Sequence, residues 1–235
     1  MHGDRFEGWP AVDYDAALHL LDRQIVDVDG RLAGKVDDVE LTEEGDLLVP
    51  TGLLVGPPAV LPRFGRRLGP WLAERYAQVS IAHAARRRPA VIDLTLVERV
   101  DSAVHLSAPR EGLLRPREEP GVSPTRRRLA HLLGMRVSGG PRRAGVLDVR
   151  LSAEAHGSGH HAMDALIVGR GRPGVLLGYD RQQVDRPWLL NALISRLHAD
   201  SRVVGRHDVE IDWERRHVRI APGAAVRRLS DQAAG

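Results

Sequence analysis

The stretch 26–41, VDVDGRLAGKVDDVEL, gathers Asp27, Asp29, Asp37, Asp38 and Glu40 around Gly30 and Gly34, and carboxylates beside glycine are common material for a cation site. An EF-hand loop needs oxygen ligands at its positions 1, 3, 5 and 12, with glycine at position 6. Counted from Asp27, Gly30 falls at position 4 and Arg31 at position 5, so a ligand position is filled by a cation. A β-hairpin fits the same residues better. Residues 25–28 are β-prone, Asp29-Gly30 suits the positive φ angles of a type I′ turn, and residues 36–41 alternate apolar with polar.

The other residues with chemical potential are sparser. His156, His160 and His161 stand in EAHGSGHHAM, but a Gly-Ser loop with no acidic or fourth ligand nearby is a poor zinc site and reads as a loop. GRGRPG at 169–174 follows a strand and runs on into Val175-Leu176-Leu177, so it lacks the helix N-terminus that a dinucleotide site requires. No nucleophile elbow and no phosphate-cradling glycine loop is present. With Cys absent, thiolate ligands, disulfides and cysteine nucleophiles are excluded. The expectation is a chain with no catalytic residue, no metal site and no cofactor. Arginine runs at Arg86, Arg87, Arg88 and at Arg126, Arg127, Arg128 are candidate phosphate contacts, though runs at element ends are usually solvated.

The elements that must position these residues come in two copies. His19-Leu20-Leu21-Asp22-Arg23-Gln24-Ile25 is matched by His131-Leu132-Leu133-Gly134-Met135-Arg136-Val137. A glycine turn follows in each, Asp29-Gly30 in one and Gly139-Gly140-Pro141 in the other. Ala33-Gly34 recurs as Ala144-Gly145, and Asp38-Val39-Glu40-Leu41 as Asp148-Val149-Arg150-Leu151. Pro70-Trp71-Leu72 returns as Pro187-Trp188-Leu189, each read as the start of a helix, and both copies close on an alternating strand. The second copy has no acid where Asp27, Asp29 and Asp37 stand, so the copies share backbone geometry and no ligand set. On this reading Asp29, Gly30, Gly34, Asp38, Gly145 and Asp148 are turn-forming residues, with Asp38 or Asp148 bonding a nearby turn amide. Trp71 and Trp188 are core residues or candidates for a partner or inter-copy interface.

The short helix ending in Leu-Leu, the DG turn, "G-K-V-D-D-V" and the later "G-L-L-V-G" strand resemble the PRC-barrel domain, the family of the photosynthetic reaction centre H subunit barrel and of the C-terminal domain of the ribosome maturation factor RimM. The resemblance covers about residues 16–108 and again about 126–222. It implies a mainly β chain of two tandem small barrels, each with an inserted α-helix, used for docking and not for catalysis. The expected organisation is an N-terminal tail at 1–15, the first barrel, a proline-rich linker at 109–125 with Ser123-Pro124 opening the next helix, the second barrel, and a C-terminal tail at 223–235. Few core contacts are expected to cross between the copies.

Composition sets the remaining bounds. The chain has 235 residues, 43% of them apolar, and a net charge of only +3. Lys35 is the only lysine, which fits the codon bias of a GC-rich bacterial genome and weakens any argument from arginine count. The polar N-terminus and the lack of a long apolar run predict a cytoplasmic protein without a transmembrane segment. The function expected is binding or scaffolding of an unidentified protein partner, with homodimerisation open. The alternatives are an RNA-associated or ribosome-maturation role, as RimM suggests, and a regulatory accessory of a membrane complex or ion transporter.

Overall fold

The computed structural model describes residues 13–56, 59, 89–113, 115–116, 125–153, 161–170 and 201–229. Trp71, Trp188, their expected helices, the run 86–88, Ser123-Pro124 and the glycine-rich stretch after Arg170 lie outside them. The first copy contributes β1 (Tyr14–Asp15), α1 (Ala16–Leu20), β2 (Gln24–Val26), β3 (Leu32–Lys35), β4 (Asp38–Glu44), β5 (Leu47–Val55), β6 (Ala90–Asp93), β7 (Val97–Val100), β8 (Val104–Leu106) and β9 (Arg115–Pro116). The second contributes β10 (Arg126–Arg128), α2 (Leu129–Leu132), β11 (Arg136–Ser138), β12 (Gly145–Ser152), β13 (Ala162–Gly169), β14 (Arg202–Gly205), β15 (Val209–Asp212), β16 (His217–Ile220) and β17 (Val226–Arg228).

The two halves share a strand order. In the second copy the order is β15-β16-β11-β12-β13-β14-β17. In the first, the sheets β3-β2-β8-β7 and β4-β5-β6-β9 follow the same path once β3 and β4 are taken as one strand broken at Val36-Asp37. The break has its counterpart in β12, where the register with β13 slips between Val146 and Asp148. A second slip also recurs: Leu41 faces Pro50 in one copy and Leu151 faces Met163 in the other, each just after Glu40 or Arg150. Pro50 cannot donate to a ladder, and a bulge is where a strand tolerates it. Both copies also hold the same parallel pair, β2 with β8 and β11 with β16.

The described residues are therefore mainly strand with few helices, but their sheets are open and do not show two closed barrels. At Leu94–Leu96 and at Arg206–Asp208 a 3₁₀ turn carries the chain round a corner from β6 to β7 and from β14 to β15, and those strands do not pair across it. The hairpin after β2 differs from the type I′ expectation. Gly30 has φ +76 while Asp29 stays out of the positive-φ region, the Gly30 amide donates to the Asp27 carbonyl, and the Asp27 amide donates to the Arg31 carbonyl. This is a three-residue loop with glycine at its left-handed position. Residues expected as tail or linker are also in sheets: β17 pairs with β14, and β9 with β6. Among the described residues the helix of the second copy runs from Leu129, and Arg126–Arg128 before it is drawn out as a strand along β4.

That last pairing joins the two copies. β1 of the first lies antiparallel on β12 of the second, and β10 of the second lies antiparallel on β4 of the first. Each short helix follows its strand across and packs on the opposite copy, α1 on β12 and α2 on β4. One apolar cluster results, in which Leu20, Val39 and Leu53 are buried together with Leu129, Val149 and Leu166. The expectation that few core contacts cross between the copies gives way to a continuous core, because each copy hands its first strand and helix to the other.

Candidate functional site: the exchanged helix caps

Both helices start without help from their own first residue. Asp15 and Arg128 occupy the N-cap positions in extended conformation, and neither makes a side-chain cap hydrogen bond. A helix start leaves amides that need acceptors. The acceptors come from the opposite copy. The Ala17 and Leu18 amides of α1 donate to Asp148 Oδ1 and Oδ2 at 2.7 and 2.9 Å, across 131 and 130 residues of chain. The Ala130 amide of α2 donates to Asp38 Oδ1 at 3.0 Å, across 92 residues. Each aspartate also accepts from the amide that follows it, Val149 at 2.7 Å and Val39 at 2.8 Å. Asp38 and Asp148 are both buried. Burial, then the nearby Asp15 charge, pushes the Asp148 carboxyl up to about 7 against the pull of its three amide donors.

Flanking side chains complete the joint. Arg150 holds Asp15 through Nε at 2.9 Å, the two being cross-strand partners in the β1–β12 pair. Arg128 and Glu40 are the corresponding cross-strand partners in the β10–β4 pair, and both are fully covered. Tyr14 is buried edge-on against the His161 ring at 5.1 Å, and burial lifts its hydroxyl well above the ordinary tyrosine value. His131 is the α2 counterpart of His19. Burial, followed by the charges of Arg128, Arg216 and Arg127, lowers its imidazole to about 4.

The acid cluster of 26–41 is dispersed by the fold. Asp27 is buried and accepts from the Asp29, Arg31 and Arg110 amides at 3.0, 2.7 and 3.1 Å. Burial works to raise its carboxyl, but the amides outweigh it and hold the group below the usual carboxylate range. It ties the hairpin to the segment after β8. Asp29 is exposed, with Arg31 at 3.9 Å. Asp37 accepts from the Gly56 amide at 2.7 Å and faces Lys35 at 3.4 Å, with burial raising its carboxyl overall. Among the described residues no group of three or more His, Asp or Glu side chains is placed to hold a metal ion.

Gly34 (φ +150) lies so close to β5 that an added Cβ would meet Val55 Cγ1 at 2.9 Å, while a Cβ on Gly145 would approach the Met135 carbonyl at 3.4 Å. Of the run 126–128, Arg128 is buried and Arg127 is bound to Glu43 at 3.0 Å and stacked 5.0 Å from the Trp213 ring centre. Asp38 and Asp148 are thus legible as a shared acid, and the amides that they accept from include helix amides of the other copy. Asp15 and Arg150 are not legible as a pair from residue type alone. The signal available for them was their position beside repeated motifs, one just before the shared helix and the other two residues after the shared aspartate. Compared with known proteins, the chain matches no family model and no curated relative.

Proposed function

We propose that the chain is a non-catalytic docking protein whose two halves are PRC-barrel-like units, each sheet path being the opened-out course of a small barrel. One observation carries the reading: Asp27 and Asp148 spend both carboxylate oxygens, and Asp38 its Oδ1, on backbone amides of the fold. A general base or ligand needs an oxygen turned toward a substrate or ion. These instead fasten loops and helix starts. The surface that suits docking is the first hairpin, where Val28 and Leu32 are 55% and 57% exposed among Asp29, Arg31 and Glu111. Exposed apolar side chains inside a charged rim are the usual make-up of a protein contact. No helix among the described residues is long and apolar enough to cross a membrane.

The test is cross-linked affinity capture from the native cell with the intact chain and with Val28→Asp plus Leu32→Asp. A protein retained in fixed ratio by the first and lost with the second supports docking through the hairpin. Nucleic acid retained at physiological salt, and lost on replacing Arg126, favours the ribosome-linked reading instead.

A further inference from the structure

The two joints between the copies are related by the repeat, yet their charges are reversed. Asp15 and Arg128 are equivalent, each the N-cap residue of the exchanged helix. Glu40 and Arg150 are equivalent, each two residues after the aspartate that caps the opposite helix. In the register observed, Asp15 faces Arg150 and Arg128 faces Glu40, so both joints set an acid against a base. Acid and base change sides from one joint to the other.

We propose that this reversal decides which half each exchanged strand and helix will accept, so that a first copy fits a second copy and rejects its own kind. If two first copies exchanged their β1-α1 units, Asp15 would face Glu40. If two second copies exchanged β10-α2, Arg128 would face Arg150. Like charges directly opposite one another on neighbouring strands destabilise the pairing. The penalty is large where water is excluded. Glu40 and Arg128 are each 1% exposed, and the Asp15 and Arg150 side chains are 15% and 16% exposed. The capping aspartates do not discriminate, because Asp38 and Asp148 offer the same carboxylate to the same kind of helix start in both copies. Two chains that exchange identical elements are a common route to unwanted oligomers. Reversed charges at otherwise equivalent joints close the exchange within the chain, through repulsion of the wrong partner as well as attraction of the right one.

The test exchanges the N-cap charges in the intact protein. Asp15→Arg with Arg128→Asp sets like charges in both internal joints and opposite charges in joints between two chains. The expected result is a molar mass by light scattering at least twice that of the unaltered chain at equal concentration. Adding Glu40→Arg and Arg150→Glu restores opposite charges internally, and is expected to return the original mass and most of the lost melting temperature. Should the first variant precipitate or unfold, recovery by the fourfold variant still supports charge complementarity as the selector. A first variant with unchanged mass and melting temperature overturns the proposal. So does a fourfold variant that recovers neither.

Discussion

Replacing Asp148 with alanine leaves the Ala17, Leu18 and Val149 amides without the acceptor that they share, at 2.7, 2.9 and 2.7 Å. Each buried donor that loses its partner costs about 1–3 kcal/mol, and loss of an N-cap acceptor alone costs about 1 kcal/mol. Water entering the space of the missing carboxylate offsets part of this, as does removal of a buried charge. A net loss of about 2–4 kcal/mol is expected, a large share of the roughly 5–15 kcal/mol that stabilises a typical domain. For a chain of this size, that lowers Tm by roughly 4–16 °C. Location matters as much as size. Two of the three amides belong to the first copy, so amide hydrogen exchange at Ala17 and Leu18 should accelerate together with exchange in β12. Denaturant unfolding read by fluorescence and by exchange gives both quantities. A loss below about 1 kcal/mol, or protection at Ala17 and Leu18 that stays intact, would refute the assignment of Asp148 as the cap of α1.

Two groups should tilt the pH dependence of stability in opposite directions. Asp148 is raised to about 7 in the folded protein, so its contribution is present below the ordinary Asp value and fades as pH climbs toward 7; His131 is lowered to about 4, so its contribution is lost as pH falls from 6.5 toward 4. Relative to the unaltered chain, denaturation midpoints between pH 4 and 6.5 should rise more with pH in Asp148→Asn and fall more with pH in His131→Gln, and parallel profiles for all three would contradict the sign argument. At the turns, Gly30→Ala meets no atom within 4 Å and should cost only the left-handed backbone penalty, about 1–2 kcal/mol, whereas at Gly139 (φ +80) the new Cβ would sit 2.5 Å from the Ile220 carbonyl oxygen. Thermal melts should therefore rank Gly139→Ala well below Gly30→Ala.

Much of this architecture is visible in the sequence, because it depends on local chemistry that recurs. The shared His-Leu-Leu segments end the exchanged helices, the shared Asp accepts from helix amides in both copies, and Gly30 has the positive φ that its turn demands. The exchange itself is not visible. Alternation of apolar residues in 36–41 tells that a strand face is covered, but not that a helix whose amide reaches Asp38 across 92 residues packs on that strand. Arg126–Arg128 illustrates the same limit. Its composition suggests a solvated end, yet the open edge of β4 recruits the arginines into a ladder, with the helix following at Leu129. Closure into barrels was equally beyond reach, since the 3₁₀ corners at Leu94–Leu96 and Arg206–Asp208 carry no strong local signal for whether neighbouring strands will pair.

The exchange of first strand and helix between the copies is tested most directly by dividing the chain near Glu119 and recording amide NMR spectra of residues 1–119 and 120–235, first apart and then mixed in equal amounts. With Asp148 absent from one fragment and Asp38 from the other, each fragment alone lacks the cap and the apolar cover for its own helix. The account predicts poorly dispersed amides and no cooperative melting for either fragment alone, and a dispersed spectrum with a single cooperative transition on mixing. Fragment 1–119 that is well dispersed and melts cooperatively by itself, with no change when 120–235 is added, would contradict it.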